Sequence, residues 1–338
     1  MSEALEHALA EALAGLVTAV DTCDDDVLDP DTAVKWLEGS AYILDRLAPA
    51  DRRRLSALLR AAALREPEGP WRDDLLKVGD GFGLDEDQHE RYCDALRANV
   101  RRFVETVRGV DPTTPAPTCP GWTIGDLARH HGVAHRWAAH LVRHRVTERV
   151  WARDVPMEVP DEAGEYPQWL AAGAEESLRV LRAADPETPM WSYGADQHVR
   201  FYARRLLFEA VVHLADAELA LGRVPRVEAC TAGDGIEEFL ENLPFLDRIA
   251  ERVAALGREG ASLRLRATDT GAAWTVVFGG AGGFRWENTA RGDATVSVEG
   301  VSGELLLLVY GRRASGDPEF TVTGDRDVLD AWLAATAF

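Results

Sequence analysis

The chain of 338 residues is 46% hydrophobic and carries 57 acidic against 37 basic residues, a formal charge of -20. That length exceeds what one simple core organises and points to two or three domains. The negative balance, spread along the chain, disfavours nucleic acid or an anionic membrane as partner, because a polyanion would be repelled.

Apolar runs such as Leu305 to Tyr310 fall far short of the ~20 residues a bilayer span needs, and Met1 opens no signal-peptide pattern, so a soluble, cytoplasmic protein acting on small molecules or proteins is expected. The cysteines Cys23, Cys93, Cys119 and Cys230 are widely separated and form no CxxC pair. Structural disulfides and a thiolate zinc site are therefore disfavoured, and a bound metal would have histidine and carboxylate ligands.

Residues 3 to 80 read as helices, with Asp29-Pro30 and Pro49-Ala50-Asp51 as helix starts. The glycine-rich stretch Gly79 to Gly83 lacks the Lys-Ser/Thr of a phosphate loop and reads as a break, so residues 1-85 are expected to form a small all-helical N-terminal domain. From Glu86 to Gly109, Tyr92, Leu96, Val100, Phe103 and Val107 recur at helical spacing. A proline-rich connector, Asp111 to Pro120, precedes Thr123 and Asp126, which have the form of a capping box for a helix running to about His144.

That helix holds five of the nine histidines. An apolar stripe through Ile124, Leu127, Ala134, Trp137 and Leu141 places His130 and His131 near its inward side and turns His135, His140 and His144 more outward. Further helices are expected over Glu165 to Ala184 and His198 to Leu221, the last ended by Gly222. Residues 86-228 then make a four-helix bundle. Beyond Cys230 one helix, about Gly233 to Leu256, leads into short alternating runs with glycine-rich turns, which read as an antiparallel sheet, followed by helices from Ser302 and about Asp325. Residues 229-338 form an α+β domain, and the whole chain an α+β multidomain protein.

Within the fourth bundle helix, Arg205, Glu209 and His213 lie four apart on one face, with Asp216 beside them. A carboxylate and an imidazole one turn apart can grip a divalent metal, with a third ligand from another helix. The same spacing also suits an ordinary Arg205–Glu209 ion pair with His213 as a solvated neighbour.

Thr118-Cys119-Pro120-Gly121-Trp122-Thr123, Asp126 to His130, Arg205 through Glu209 to His213 and Asp216, Gly303 to Leu308 with Gly311-Arg312, and Val322 to Asp325 follow in an order that resembles the mycothiol-dependent maleylpyruvate isomerase family, from about residue 88 to the end. The resemblance implies a DinB-like four-helix bundle and an α+β C-terminal domain. It also implies a zinc ion, or another divalent metal, held by His130, Glu209 and His213, with mycothiol, a cysteinyl sugar thiol, as cosubstrate. In that chemistry the thiol, acidified by the metal, adds to a small electrophile; elimination after rotation makes an isomerase, and retention of the adduct an S-transferase. Arg312 is then the candidate clamp for a substrate carboxylate and Arg205 an orienter of Glu209, while Cys119 is read as structural. Family members commonly have a histidine where this chain has Phe208 and an apolar residue where it has His131, which leaves open whether His131 replaces or supports His130. Residues 1-85 match nothing in the family and are a candidate surface for a protein partner or self-association. A binding or regulatory protein on the same fold, and a zinc hydrolase that works without thiol, are the alternative readings.

Overall fold

The computed structural model describes residues 3–47, 49–84, 88–280 and 282–337. It divides into two compact units, residues 1–88 with 269–271 and the remainder. Residues 85–87, where the bundle helix is expected to start and the N-terminal domain to end, lie outside the described residues.

In the first unit α1 (Glu3–Asp21), α2 (Pro30–Asp45), α3 (Pro49–Ala63) and α4 (Pro70–Gly81) follow one another. Proline stands at the start of the last three, where its missing N–H costs nothing, and Asp29 caps α2 by accepting a 3.0 Å bond from the Thr32 amide. Ala10, Ala14, Leu59, Ala63, Leu75, Val78, Phe82 and Leu84 form its core. Gly79 and Gly81, read from sequence as part of a break, lie inside α4; the chain turns at Gly83, whose φ of 56° suits glycine.

The second unit begins with the bundle helices α5 (Gln88–Thr106), α6 (Ile124–His144), α7 (Tyr166–Ala183) and α8 (Arg200–Ala220). The capping box is present in both directions: Asp126 N–H donates to Thr123 Oγ1 at 3.2 Å, and Thr123 N–H to Asp126 Oδ2 at 2.9 Å. Along α8 nearly every residue from Phe201 to Glu218 is buried, because its two sides face different partners, and its polar side chains must therefore be paired.

Helices α6 and α7 approach closely at two glycines. A Cβ on Gly132 would lie 2.2 Å from the Trp169 ring, and one on Gly173 2.2 Å from Arg136 Nη1; the Arg136 guanidinium itself rests 3.9 Å over the Trp169 ring centroid. Gly132→Ala is accordingly expected to destabilise the protein by about 1–3 kcal/mol through overpacking, although alanine is the better helix former. A raised melting temperature in that variant would contradict the account.

The rest of the unit comprises α9 (Ala229–Asn242), α10 (Asp247–Ala254), strands β1 (Ser262–Ala267), β2 (Ala273–Phe278), β3 (Phe284–Glu287) and β4 (Val296–Gly300), α11 (Ser302–Val309), β5 (Thr321–Gly324) and α12 (Arg326–Thr336). The single helix expected near 233–256 is interrupted by a 3-10 turn, Leu243–Phe245, because Pro244 cannot donate to the helix ladder. The sheet has the order β3-β2-β1-β4-β5 and is mixed, not antiparallel throughout. Its β1–β4 ladder is parallel, since β4 returns past β1 and β2 to pair Leu263 with Val296 and Leu265 with Val298. Period two in the sequence marks strands but does not reveal their direction. Leu263, Leu265, Trp274, Val276, Val296 and Val298 are fully buried, whereas Arg264 and Arg266 alternate with them on β1. No helix among the described residues is long and apolar enough to cross a membrane.

Candidate metal centre

Helix α6 supplies His130, and α8 supplies Glu209 and His213 one turn apart. His130 Nε2 stands 2.6 Å from Glu209 Oε1, and His213 Nε2 stands 3.4 Å from the same oxygen. One ligand atom from each residue lies within 4.8 Å of the other two. These are the donor types zinc accepts; ligands about 2.0–2.2 Å from such an ion would stand a little over 3 Å apart, as His213 and Glu209 do, while His130 and Glu209 stand at direct hydrogen-bond distance.

Each donor is held from behind. His213 Nδ1–H donates to Asp216 Oδ2 at 2.7 Å, which aims Nε2 at Glu209. Asp216, wholly buried, also accepts from Thr118 Oγ1 at 2.5 Å, Cys119 Sγ at 3.2 Å, and Arg312 Nε and Nη2, both at 2.9 Å. The loop bearing Thr118 and Cys119 is closed by short backbone bonds, Ala116 N–H to Trp122 O at 2.8 Å and Trp122 N–H to Cys119 O at 2.9 Å, with Gly121 at φ 83°. It also delivers Trp122, whose ring lies 5.0 Å from that of His130 and stacks at 6.2 Å on that of His213. On Glu209, Oε2 accepts a 2.9 Å bond from Arg205 Nη2.

These contacts set the charge states. Burial alone would raise the Glu209 carboxyl, but the bonds from His130 and His213 and the Arg205 charge hold it well below the usual carboxylate range. Burial likewise opposes charge on His213, yet its bond to Asp216 and the neighbouring Cys119 and Glu209 raise it well above an ordinary imidazole.

The other histidines on α6 divide differently from the sequence expectation. His131 is buried and donates from Nε2 to the Glu209 backbone carbonyl at 3.1 Å, so it ties α6 to α8 behind the ligands; its Nδ1 has no partner among the described residues. His135, expected outward, is buried with Nδ1 2.8 Å from Ser177 Oγ, and burial pushes its pKa down to about 4. The buried face of α6 runs through Leu127, Ala128, His131, His135, Ala138 and Val142. That face is rotated from the stripe drawn through Ala134 and Trp137, because α6 is covered by more than one neighbour.

Arg312 reaches the site from the C-terminal half, but its guanidinium is turned onto Asp216 and the Tyr310 carbonyl, at 2.6 Å, in place of the open role of a substrate clamp. Arg205 stands where its spacing suggests and is shared between Glu209 and Glu238. Phe208 is fully buried, its ring packed with Leu306 at Gly235, so this side chain serves packing between α8 and the C-terminal half. The sequence reading overlooked Glu238 and Asn242. Both sit on a helix where charged and amide residues ordinarily face water, and only the fold shows them buried.

A family model described as the mycothiol maleylpyruvate isomerase N-terminal domain matches residues 93–218, and one described as the MDMPI C-terminal domain matches residues 230–331. No curated protein matches the chain. Among solved structures, the chain is similar to a mycothiol-dependent maleylpyruvate isomerase at 16% identity, with a TM-score of 0.44 over 70% of this chain and 94% of that one. A histidine-to-alanine mutant of the isomerase gives 14% identity and a TM-score of 0.45 over the same shares. A UbiJ-SCP2 ubiquinone synthesis protein gives 21% and 0.24, covering 30% of this chain and 85% of that one. His130, Glu209 and His213 all fall within the first matched segment, and Arg312 within the second.

Proposed function

The chain belongs to the mycothiol-dependent maleylpyruvate isomerase family over its two matched segments, and from that premise we propose a cytoplasmic, zinc-dependent enzyme that adds mycothiol to a small electrophile, as an isomerase or an S-transferase. The observation that carries the reading is the convergence of His130, Glu209 and His213 from two helices, with the far nitrogen of His213 and the far oxygen of Glu209 each already held by a partner.

In this reading those three side chains hold the divalent ion, which when bound lowers the pKa of a coordinating thiol and keeps it reactive at neutral pH. Asp216 fixes the tautomer and tilt of His213. Arg312 braces Asp216, so we assign it a positioning role through that carboxylate, and Arg205 positions Glu209 in the same way. Trp122 walls one side of the donor set with an apolar surface, which shields it from water on that flank. Cys119 shares its sulfur with Asp216 and Arg312 and is kept as a structural group.

The test is metal analysis of the purified chain joined to a panel of small electrophiles assayed with and without mycothiol. One divalent ion per chain and consumption of an electrophile only in the presence of mycothiol are expected. Consumption at the same rate without thiol would replace the proposal with hydrolysis by metal-bound water, and a chain that takes up no metal would end it.

A further inference from the structure

We propose that Glu238, contributed by α9, is a positioning residue of the metal centre, acting through Arg205 to hold the Glu209 carboxylate in the orientation that keeps one oxygen facing His130 and His213. The inference rests on the metal reading above and adds to it a requirement for the C-terminal half.

The geometry is a buried chain of charge-assisted bonds. Arg205 Nη1 donates to Glu238 Oε2 at 2.6 Å and to Oε1 at 2.9 Å, while Nη2 of the same guanidinium donates to Glu209 Oε2 at 2.9 Å. Glu238 is 2% exposed, and its oxygens also accept from Asn242 Nδ2 at 2.8 Å and the Tyr310 hydroxyl at 3.4 Å. Asn242 in turn accepts at Oδ1 from the Ala195 amide at 3.0 Å, so the segment between α7 and α8 is fastened to the same network.

The terminal torsion of a glutamate is broad, so a carboxylate left alone does not hold its plane fixed toward a ligand site. Here Oε2 of Glu209 is committed to Arg205, and Oε1 is the atom beside both histidine nitrogens. Arg205 can make that commitment because Glu238 holds the other side of its fork. A planar guanidinium gripped by one carboxylate is preorganised for the second. With Glu238 gone, the whole charge of Arg205 would fall on Glu209 and compete with a metal ion for Oε1.

The neighbouring Glu237 provides an internal control. It is also buried on α9 but accepts from Trp274 Nε1 at 3.2 Å, on the side of the sheet.

The experiment measures the affinity of the full chain for Zn2+ by competition with a chromophoric chelator. Glu238→Ala is expected to weaken zinc binding by about 10- to 100-fold, the range for residues that orient metal ligands. Glu238→Gln, which keeps an oxygen for Arg205, should recover part of that loss and serves if the alanine variant does not fold. Glu237→Gln should bind zinc as the unsubstituted chain does. Unchanged affinity in both Glu238 variants, or an equal loss in Glu237→Gln, would overturn the positioning role while leaving the metal centre standing. An unsubstituted chain that binds no zinc would instead remove the metal reading, and this inference with it.

Discussion

Asp216→Ala is expected to cost about 3–5 kcal/mol of folding stability, the range for deleting one partner of a buried ion pair. No atom of Asp216 is exposed, and its two oxygens take hydrogen bonds from Thr118, Cys119, His213 and two nitrogens of Arg312. Alanine would leave the Arg312 side chain, only 12% exposed, with an uncompensated charge. It would also leave His213 Nδ1 without its acceptor and untie the 116–122 loop from α8. Urea unfolding followed by circular dichroism reads the loss, and a change below about 1 kcal/mol would mean that water replaces the carboxylate at little cost.

The same residue gives that loss a pH dependence. Burial raises the Asp216 carboxyl, but its bonds to His213 and Arg312 outweigh this and hold it far below the ordinary carboxylate range. A group whose folded pKa is depressed stabilises fully above its unfolded value of about 3.9 and loses that contribution as pH falls further. The gap between the unsubstituted chain and Asp216→Ala should therefore narrow progressively as pH falls below about 4.

The parts of this centre that could be read from the chain are the local ones. Glu209 and His213 share a face by helical arithmetic, Arg205 precedes Glu209 by one turn, and the Thr123 box fixes where α6 begins and so where His130 points. What could not be read is pairing across distance. Arg312 and Asp216 are 96 positions apart and Arg205 and Glu238 are 33 apart, and no spacing rule links residues joined only when the two halves pack. An arginine at the end of a leucine-rich helix looks free until a buried carboxylate is seen to claim it. His135 was misplaced for a related reason: a helix covered on several sides has a buried arc wider than the stripe its aliphatic residues trace. The parallel β1–β4 ladder escaped because alternation is the same in both strand directions.

The largest functional effect is expected from His213→Ala and Glu209→Gln, each of which should reduce bound zinc from one ion per chain to almost none. Zinc sites with four protein ligands contribute about 10–16 kcal/mol, or about 2.5–4 kcal/mol per ligand, so losing one of three ligands should lower affinity by roughly 60- to 700-fold. Glu209→Gln is the more discriminating change because it keeps the shape and the bond to Arg205 but removes the anion that both histidines face. His140→Ala, nearer the far end of α6, changes a histidine that the centre does not use and should bind zinc normally. Mycothiol-dependent consumption of the electrophile should fall in step with the metal in the two ligand variants. A His213→Ala chain that still carries one zinc would refute the ligand assignment, whatever its activity. Loss of activity with zinc retained in Glu209→Gln would recast Glu209 as a residue of the reaction rather than of the metal's coordination.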